Sequence, residues 1–300
     1  MEIRNLGASG LRVSAIGLGC NNFGGRIDLE ATRKVIHKAF DLGITLFDTA
    51  DTYGERGGSE TCMGQVLGDD RKRIVLATKF GMPMDDVGVK VGGSRRYIMN
   101  AVEDSLRRLR TDWIDLYQIH QPDPHTPIEE TLRALDDLIH QGKVRYVGCS
   151  NFPAWQVMEA YWTAKNDGMN GFVSCQDEYS LVFRKPEAEL MPAMRKLGLG
   201  LLPFSNCVHY EPGSKRRESF HRFLREGMRG GYAAEDGAAL HFTGTELSRV
   251  VASRPQARGY RLDVAGQRVV EMRIATTFLG ERGVVPIAPV PEALSTAVAA

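Results

Sequence analysis

The chain has 300 residues, of which 43% are hydrophobic and 25% are charged, a composition typical of a soluble globular protein with a large core. Lysine and arginine number 38 and aspartate and glutamate 37, so no strong net charge favours nucleic acid or an acidic membrane surface as a partner. We therefore expect a small molecule as the ligand, and the oligomeric state stays open.

The first residues predict a hairpin, and we expect no targeting signal in them. The start, MEIRNLGASG, has neither a basic stretch nor an apolar run, and nowhere do about 18 apolar residues stand together, so we expect no export signal and no membrane span. Gly7 and Gly10 lie between two short extended runs, which predicts a β-hairpin that caps the main fold. The five cysteines are scattered and never spaced as CxxC; we expect no disulfide framework, no metal site and a cytoplasmic location.

Seven short apolar runs follow, each with the length of a buried parallel strand. Helix-length segments with spaced apolar residues lie between most of them, and Gly43, Gly142 and Gly198 stand just past three of these segments, where a left-handed cap favours glycine. A strand therefore starts about every 30 residues, which is the size of one βα unit. The predicted strands are 15–18, 44–47, 74–78, 116–118, 144–149, 172–175 and 199–204, and the predicted helices are 29–42, 98–109, 128–139, 157–165 and 190–197.

Polar residues recur at the carboxyl ends of these strands, and they distinguish a closed barrel from an open dinucleotide-binding sheet. The glycines of GLGCNNFGG, after the first strand, lack the GxGxxG spacing that such a sheet requires. A (β/α)₈ barrel, in contrast, builds its active site from residues at the carboxyl ends of many strands. Residues at these ends are Asp48, Lys79, His120, Ser150, Asn151, Gln176 and Ser205. We therefore predict a (β/α)₈ TIM barrel with an N-terminal β-hairpin cap.

The regular alternation of predicted strands and helices ends after Ser205. Residues 206–273 contain Gly, Arg, Glu and Ser runs in which we recognise no strand, so the C-terminal third is predicted to be irregular. An eighth strand is expected at Val284 to Ala288, with a short helix from Pro291. We predict one barrel domain over residues 1–300 in which 206–273 is atypical.

Three of the strand-end polar residues, together with Tyr53 in the glycine-rich loop after Asp48, predict acid catalysis on a carbonyl group, although each type alone is often a loop cap or a core residue. Lys79 follows the apolar run IVLAT, so its burial requires a carboxylate partner, for which Asp48 is the candidate. Tyrosine titrates near about 10, and a nearby ammonium favours its phenolate, so Lys79 would make Tyr53 a better acid. His120 would bond the carbonyl oxygen and orient the substrate. This chemistry needs a hydride source. By contrast, Arg107, Arg108 and Arg110 are expected to form a solvated helix face.

The motifs around these residues resemble those of the aldo-keto reductases, in particular the bacterial members. The matching strings are GLGCNNFGG, FDTADTYG followed by Ser59 and Glu60, ATKFG, LRTDWIDLYQIHQPD, QGKVRYVGCSNF and SCQDEYSL. The resemblance runs from Leu6 to about Ser205. It implies an oxidoreductase that reduces aldehyde or ketone carbonyls to alcohols, with NADPH, or alternatively NADH, bound across the C-terminal face of the barrel. It also implies a catalytic tetrad of Asp48, Tyr53, Lys79 and His120.

The resemblance further assigns cofactor contacts. Ser150, Asn151 and Gln176 match the positions that hold the nicotinamide carboxamide, and their amide and hydroxyl groups can pair with both its donor and its acceptor. Phe204 occupies the place of the aromatic residue that stacks on the nicotinamide ring, and Ser205 keeps a place in the segment that holds the pyrophosphate.

Beyond Ser205 the chain departs from the family pattern. FSNCVHYEPGSKR stands where the family's small residues let the backbone approach the pyrophosphate, and VVPIAPVPEALSTAVAA has apolar residues where the adenosine is normally held. Two alternatives to an active reductase therefore stay open. One is a regulatory protein that binds the nucleotide with little turnover, and the other is a catalytically impaired homologue that has lost nucleotide binding.

Overall fold

The computed structural model describes residues 1–179, 183–204, 213, 215–225, 230–243, 246–266 and 268–279. The chain divides into two compact units: the first is Met1–Tyr179 with Phe183–Phe204, and the second is Ser180–Val182 with Ser205–Ala300. The stretch 206–273, which the sequence marks as atypical, lies entirely in the second unit. A single domain over residues 1–300 stays a prediction.

The first unit begins with the predicted hairpin. Strands β1 (Ile3–Asn5) and β2 (Arg12–Ser14) pair antiparallel. Gly7, in the turn, has φ +59°, and a side chain there would lie 2.4 Å from the backbone nitrogen of Gly200, so only glycine fits this close approach. The hairpin packs an apolar face on the strands, in a cluster of Leu6, Leu11, Val13, Leu46, Ala77 and Leu116.

Seven parallel strands form the sheet of the first unit, paired in chain order from β3 to β9. They are β3 (Gly17–Gly19), β4 (Leu46–Asp48), β5 (Val75–Phe80), β6 (Ile114–Ile119), β7 (Val144–Ser150), β8 (Ser174–Glu178) and β9 (Gly200–Phe204). All seven predicted strands are confirmed. The curled α/β sheet is consistent with the predicted (β/α)₈ barrel. The eighth strand expected at 284–288 and the helix after it lie outside the described residues.

The five predicted helices are also confirmed. They are α1 (Leu29–Asp41), α3 (Arg95–Leu109), α4 (Ile128–His140), α5 (Ala154–Asn166) and α6 (Leu190–Leu197), and short 3₁₀ turns lie at Gly68–Arg73 and Lys185–Glu187. Helix α2 (Tyr53–Leu67) was not predicted. Its residues 54–57 have positive φ angles, and its buried face includes Ser59 and Glu60, so the usual pattern of apolar residues is weak.

The main core of the first unit fills the space between the sheet and the helices. Ile36 of α1, Met63 of α2, Ile98 of α3, Leu135 of α4 and Val157 of α5 are all fully buried in it. Each such side chain contributes about 1.5–3 kcal/mol through the hydrophobic effect. The strands, and the side chains at their ends, are thus held by a packed scaffold.

The second unit contains α7 (Lys215–Arg225) and two three-stranded sheets. One sheet has the order β10 (Gly231–Ala234), β13 (Gly259–Ala265), β14 (Arg268–Ile274), and the other β11 (Ala238–Thr243), β12 (Glu246–Ala252), β15 (Thr276–Phe278). The expectation of an irregular stretch without strands is therefore wrong. In β13, Tyr260 and Leu262 are buried and the arginine between them is exposed. This alternation of buried and exposed residues is typical of a strand, but it is hard to recognise in a region so rich in charged residues. Across the described residues, no helix is long and apolar enough to cross a bilayer.

Candidate active site

The first unit brings the four predicted catalytic residues to one end of its sheet. Asp48 is the last residue of β4, Lys79 is the last but one of β5, and His120 directly follows β6. Because these strands are parallel neighbours, their carboxyl ends meet at the same edge. Tyr53 begins α2, five residues after Asp48. The geometry brings the four residues together, and their catalytic roles stay a prediction.

Lys79 and Asp48 form a buried ion pair at the centre of this group. The Lys79 Nζ lies 2.8 Å from Asp48 Oδ1, 2.7 Å from Asp48 Oδ2 and 2.9 Å from the carbonyl oxygen of Thr49. The side chain of Lys79 is 1% exposed, so its charge needs this carboxylate. The amides of Gln176 and Gln118 also donate to Asp48, at 3.1 and 3.4 Å. Asp48 is thereby held from three strands, and it fixes the ammonium of Lys79.

Tyr53 lies beside this ion pair, with the Lys79 Nζ 5.2 Å from its ring centroid. Burial raises the pKa of Tyr53 above its ordinary value, and the attraction of Lys79 offsets only part of that rise. Burial of Tyr53 therefore has a larger effect on this pKa than the attraction of Lys79 that the sequence predicts. The Tyr53 hydroxyl therefore keeps its proton across the physiological pH range. Such a group is a proton donor rather than a phenolate at rest.

His120 stacks edge-on against Tyr53, with ring centroids 5.6 Å apart and an interplanar angle of 82°. Burial, and then the nearby charge of Lys79, lower the pKa of His120 to about 3. The ring is thus neutral at physiological pH. Its Nδ1 is buried without a hydrogen-bond partner among the described residues. A neutral imidazole can donate one hydrogen bond to a substrate oxygen, which is the orienting role that the sequence predicts.

The three predicted carboxamide-binding residues lie next to His120. Asn151 donates from Nδ2 to the carbonyl oxygen of His120 at 2.9 Å and to Ser150 Oγ at 3.0 Å. Its φ angle is +59°, a left-handed conformation that asparagine tolerates better than most residues. The Asn151 backbone N–H donates to the carbonyl oxygen of Gln176 at 3.0 Å. One hydroxyl and two amides thus share one site, and this set of donors and acceptors fits a carboxamide.

The side chains of the remaining predicted cofactor contacts, Phe204 and Ser205, are not described. Phe204 is the last residue of β9, and the structure describes its backbone only. Ser205 lies outside the described residues. Both contacts therefore stay predictions. Within the part of the chain that is described, no group of three His, Cys, Asp or Glu side chains is placed to hold a metal ion.

A second polar cluster, not predicted from the sequence, is formed by residues of α2, β5 and α3. Arg108 of α3 donates to Glu60 Oε2 at 2.7 Å, and Thr78, which precedes Lys79, donates to Glu60 Oε1 at 2.6 Å. Glu60 is fully buried, so the expectation that Arg108 belongs to a solvated helix face is wrong. The sequence does single out Glu60, because it is one of the residues that carry the family resemblance. Its partner Arg108 lies 48 positions away, so no local pattern connects the two.

The fold and the site together define a βα-barrel protein with an ion pair, a tyrosine and a neutral histidine at the carboxyl ends of its strands. The sequence model of the aldo/keto reductase family matches residues 15–209, and the chain belongs to this family.

Relatives of known name agree with this assignment. The chain is 39% identical over 233 residues to an uncharacterized oxidoreductase, YrpG, of Bacillus subtilis, covering 73% of this chain and 70% of that protein. It is 37% identical over 232 residues to a provisionally named aryl-alcohol dehydrogenase of Schizosaccharomyces pombe, with coverage of 67% and 66%. It is 36% identical over 231 residues to a versiconal hemiacetal acetate reductase of Aspergillus parasiticus, with coverage of 68% and 67%. The chain thus spans about two thirds of each relative, and these findings support an oxidoreductase.

A second similarity covers the boundary between the two units. The sequence model of peptidase family S51 matches residues 184–250, well under half of the chain. This match begins before α6 in the first unit and ends within β12 in the second. It overlaps the end of the aldo/keto reductase match at residues 184–209. The sequence departs from the aldo-keto reductase pattern after Ser205, inside this overlap.

Proposed function

We propose that the chain is an NAD(P)H-dependent oxidoreductase that reduces aldehyde or ketone carbonyls to alcohols, with Tyr53 as the proton donor. The observation that carries this proposal is the buried ion pair of Lys79 and Asp48 beside the Tyr53 ring, which packs edge-on against His120. A neutral phenol next to a fixed ammonium can give up its proton, because the ammonium stabilises the phenolate that remains.

Each residue has a defined task in this reaction. His120 donates a hydrogen bond to the carbonyl oxygen and orients it toward the Tyr53 hydroxyl. When bound, the nicotinamide cofactor supplies the hydride that the carbonyl carbon receives. Tyr53 gives its proton to the oxygen, and Lys79 stabilises the resulting phenolate. Asp48 holds Lys79 in place through both carboxylate oxygens. The Tyr53 phenolate regains a proton before the next turnover.

The cofactor would be held at its nicotinamide end by Ser150, Asn151 and Gln176. The hydroxyl and the two amides offer both donors and acceptors to the carboxamide group, and Asn151 is connected to the backbone of His120. NADPH is the cofactor that we favour, with NADH as the alternative. The substrate class is a small aldehyde or ketone. All four cysteines that the structure describes are free, which supports the proposal of a reducing, cytoplasmic compartment.

Consumption of NADPH or NADH with nitrobenzaldehyde or methylglyoxal tests this function. We expect turnover by the wild type and a loss on the order of 10²–10⁴ in kcat for Tyr53→Phe, which removes the donated proton. Tyr161→Phe makes the same chemical change on α5 and should leave turnover unaltered. Absence of turnover, or full turnover by Tyr53→Phe, would contradict the proposal.

The end of the family match at residue 209 favours a second candidate, a nucleotide-binding or impaired homologue. The segments expected to hold the pyrophosphate and the adenosine begin at Ser205 and continue past this point in the sequence. A titration of NADPH and NADH against intrinsic tryptophan fluorescence separates the candidates. Binding with no turnover indicates the regulatory protein, and flat curves at millimolar cofactor indicate the homologue that has lost nucleotide binding.

A further inference from the structure

Asp51 lies in the segment that connects β4 to Tyr53. The side chain of Asp51 is 1% exposed, and its Oδ2 accepts a hydrogen bond from the Tyr97 hydroxyl of α3 at 3.2 Å. Its backbone N–H donates to the carbonyl oxygen of Lys79 at 3.0 Å. Asp51 thus connects the segment that carries Tyr53 to the backbone of Lys79 on one side and to α3 on the other.

The described charged groups around Asp51 include one buried carboxylate, Glu60, but no cation that would balance a second negative charge on Asp51 itself. The titratable and charged groups that act on Asp51 or on its partner Tyr97 are Glu60 of α2, Arg108 and Asp104 of α3, and Tyr117 of β6. Arg108 is the cation among them, and its Nε is bonded to Glu60. A buried carboxylate without a cation of its own is strongly disfavoured. Burial first, and then the charge of Glu60, raise the pKa of Asp51 to about 8.

The hydrogen bonds that Asp51 accepts lower its pKa, but burial outweighs them, and one carboxyl oxygen is left without a donor. Asp51 Oδ1 is buried and has no hydrogen-bond partner among the described residues. The Tyr117 hydroxyl is also buried and likewise has no partner among them. A carboxylate oxygen can only accept hydrogen bonds, whereas a carboxylic acid carries one O–H that can donate. A proton on Oδ1 therefore gives this part of the cluster a donor that the ionised form lacks.

We propose that Asp51 is a positioning residue for Tyr53. Its side chain acts as a neutral carboxylic acid bonded to the Tyr97 hydroxyl, and its backbone N–H bonds to the carbonyl oxygen of Lys79. Ionisation puts a second carboxylate beside Glu60, and the segment must then shift to hydrate that charge. Asp51 touches neither substrate nor cofactor and acts only through the position of Tyr53. The inference rests on the proposed carbonyl reduction for its kinetic test alone.

The kinetic test compares the pH dependence of kcat for the wild type and Asp51→Asn. Asparagine has the shape of the neutral acid and cannot ionise. In the wild type, kcat should fall about tenfold for each pH unit above the pKa of Asp51, near about 8, whereas the pKa of Tyr53 is raised above its usual value of about 10. Asp51→Asn should keep most of the neutral-pH kcat and lose this fall.

Two further variants separate positioning from a general effect of pH. Tyr97→Phe removes a hydrogen bond that lowers the pKa of Asp51, so the alkaline fall in kcat should move to higher pH. Asp41→Asn makes the same chemical change at an exposed residue at the end of α1 and should keep the wild-type profile. Identical alkaline profiles for the wild type, Asp51→Asn and Tyr97→Phe would overturn the proposal.

A measurement without turnover keeps the proposal separate from the proposed function. The protein is labelled with fluorotyrosine, and the Tyr53 fluorine resonance is assigned by its loss in Tyr53→Phe. We expect this resonance to move as pH rises through the ionisation of Asp51 in the wild type, and to stay constant in Asp51→Asn. A resonance that does not move in the wild type overturns the positioning role. A resonance that moves in a protein without reductase activity refutes the proposed function but leaves the role of Asp51 standing.

Discussion

Asp51→Asn should change the dependence of stability on pH. The pKa of Asp51 is raised from 3.8 to about 8 in the folded protein, so at pH values between these limits the folded state binds a proton that the unfolded state has lost. Stability contributed by this group therefore falls as pH rises from about 4 to about 8. At about pH 7 the loss is about 4 kcal/mol, from 1.36 kcal/mol for each unit between the unfolded pKa and that pH. The asparagine variant has no such loss.

The slope of the unfolding free energy against pH is the decisive quantity, because the asparagine itself lowers the unfolding free energy by an amount that does not depend on pH. Its amide places a donor where no acceptor is assured, at a cost of about 1–3 kcal/mol. We therefore expect Asp51→Asn to be less stable than the wild type near about pH 4 and more stable near about pH 7, a relative change of about 4 kcal/mol.

Urea unfolding followed by tryptophan fluorescence measures this change. All three tryptophans, Trp113, Trp155 and Trp162, lie in the first unit, so the signal reports the unit that contains Asp51. Asp41→Asn is the control, and its stability should follow the wild-type curve at every pH. Parallel curves for Asp51→Asn and the wild type would show that Asp51 is ionised in the fold, and the reasoning about buried charge would fail.

Three further predictions concern the candidate active site. Asp48→Asn leaves the ammonium of Lys79 buried without a carboxylate, so we expect a loss of about 3–5 kcal/mol in unfolding free energy by urea titration and a kcat near that of Tyr53→Phe. Retention of wild-type kcat would exclude the anchoring role. Glu60→Gln removes the partner of Arg108 and should cost about 3–5 kcal/mol in the same titration, whereas loss of the exposed Arg107–Asp104 pair through Asp104→Asn should cost less than about 1 kcal/mol. Equal costs for the two pairs would contradict the difference in burial. Because the pKa of His120 is lowered to about 3, the ring is neutral throughout, and kcat/KM should show no ionisation of His120 near about 6.5. An acidic fall in that range that disappears in His120→Gln would show that the histidine is protonated in the working enzyme.

The positions of Asp48, Lys79 and His120 were predictable because parallel strands repeat. Once the apolar runs are read as parallel strands, the polar residue after each run must lie at the same edge of the sheet. The pairing of Lys79 with Asp48 then follows from the cost of a buried ammonium. Local pattern and elementary electrostatics together were sufficient for this part of the site.

The cluster around Glu60 could not be predicted in this way. Arg108 stands in the string SLRRLR, where neighbouring arginines are exposed, and nothing local distinguishes the one that turns inward. Its partner is the buried Glu60 of α2, a helix that begins with positive φ angles at residues 54–57. The charge state of Asp51 depends in turn on this pair. Each step is a contact between elements distant in sequence, and periodicity carries no information about such contacts.

The two halves of the proposed reaction depend on different parts of the chain. The groups proposed for proton transfer and for binding of the nicotinamide carboxamide lie on β4 to β8 and the segments after them, within residues 15–209 that the family model matches. The pyrophosphate and adenosine would depend on residues after Phe204, where the similarity changes from one family model to another. The described contacts of the proposed proton donor Tyr53, with Lys79 and His120, lie within the first unit. We therefore expect that a low affinity for the dinucleotide would raise the cofactor concentration required for turnover and leave the chemistry at Tyr53 unchanged.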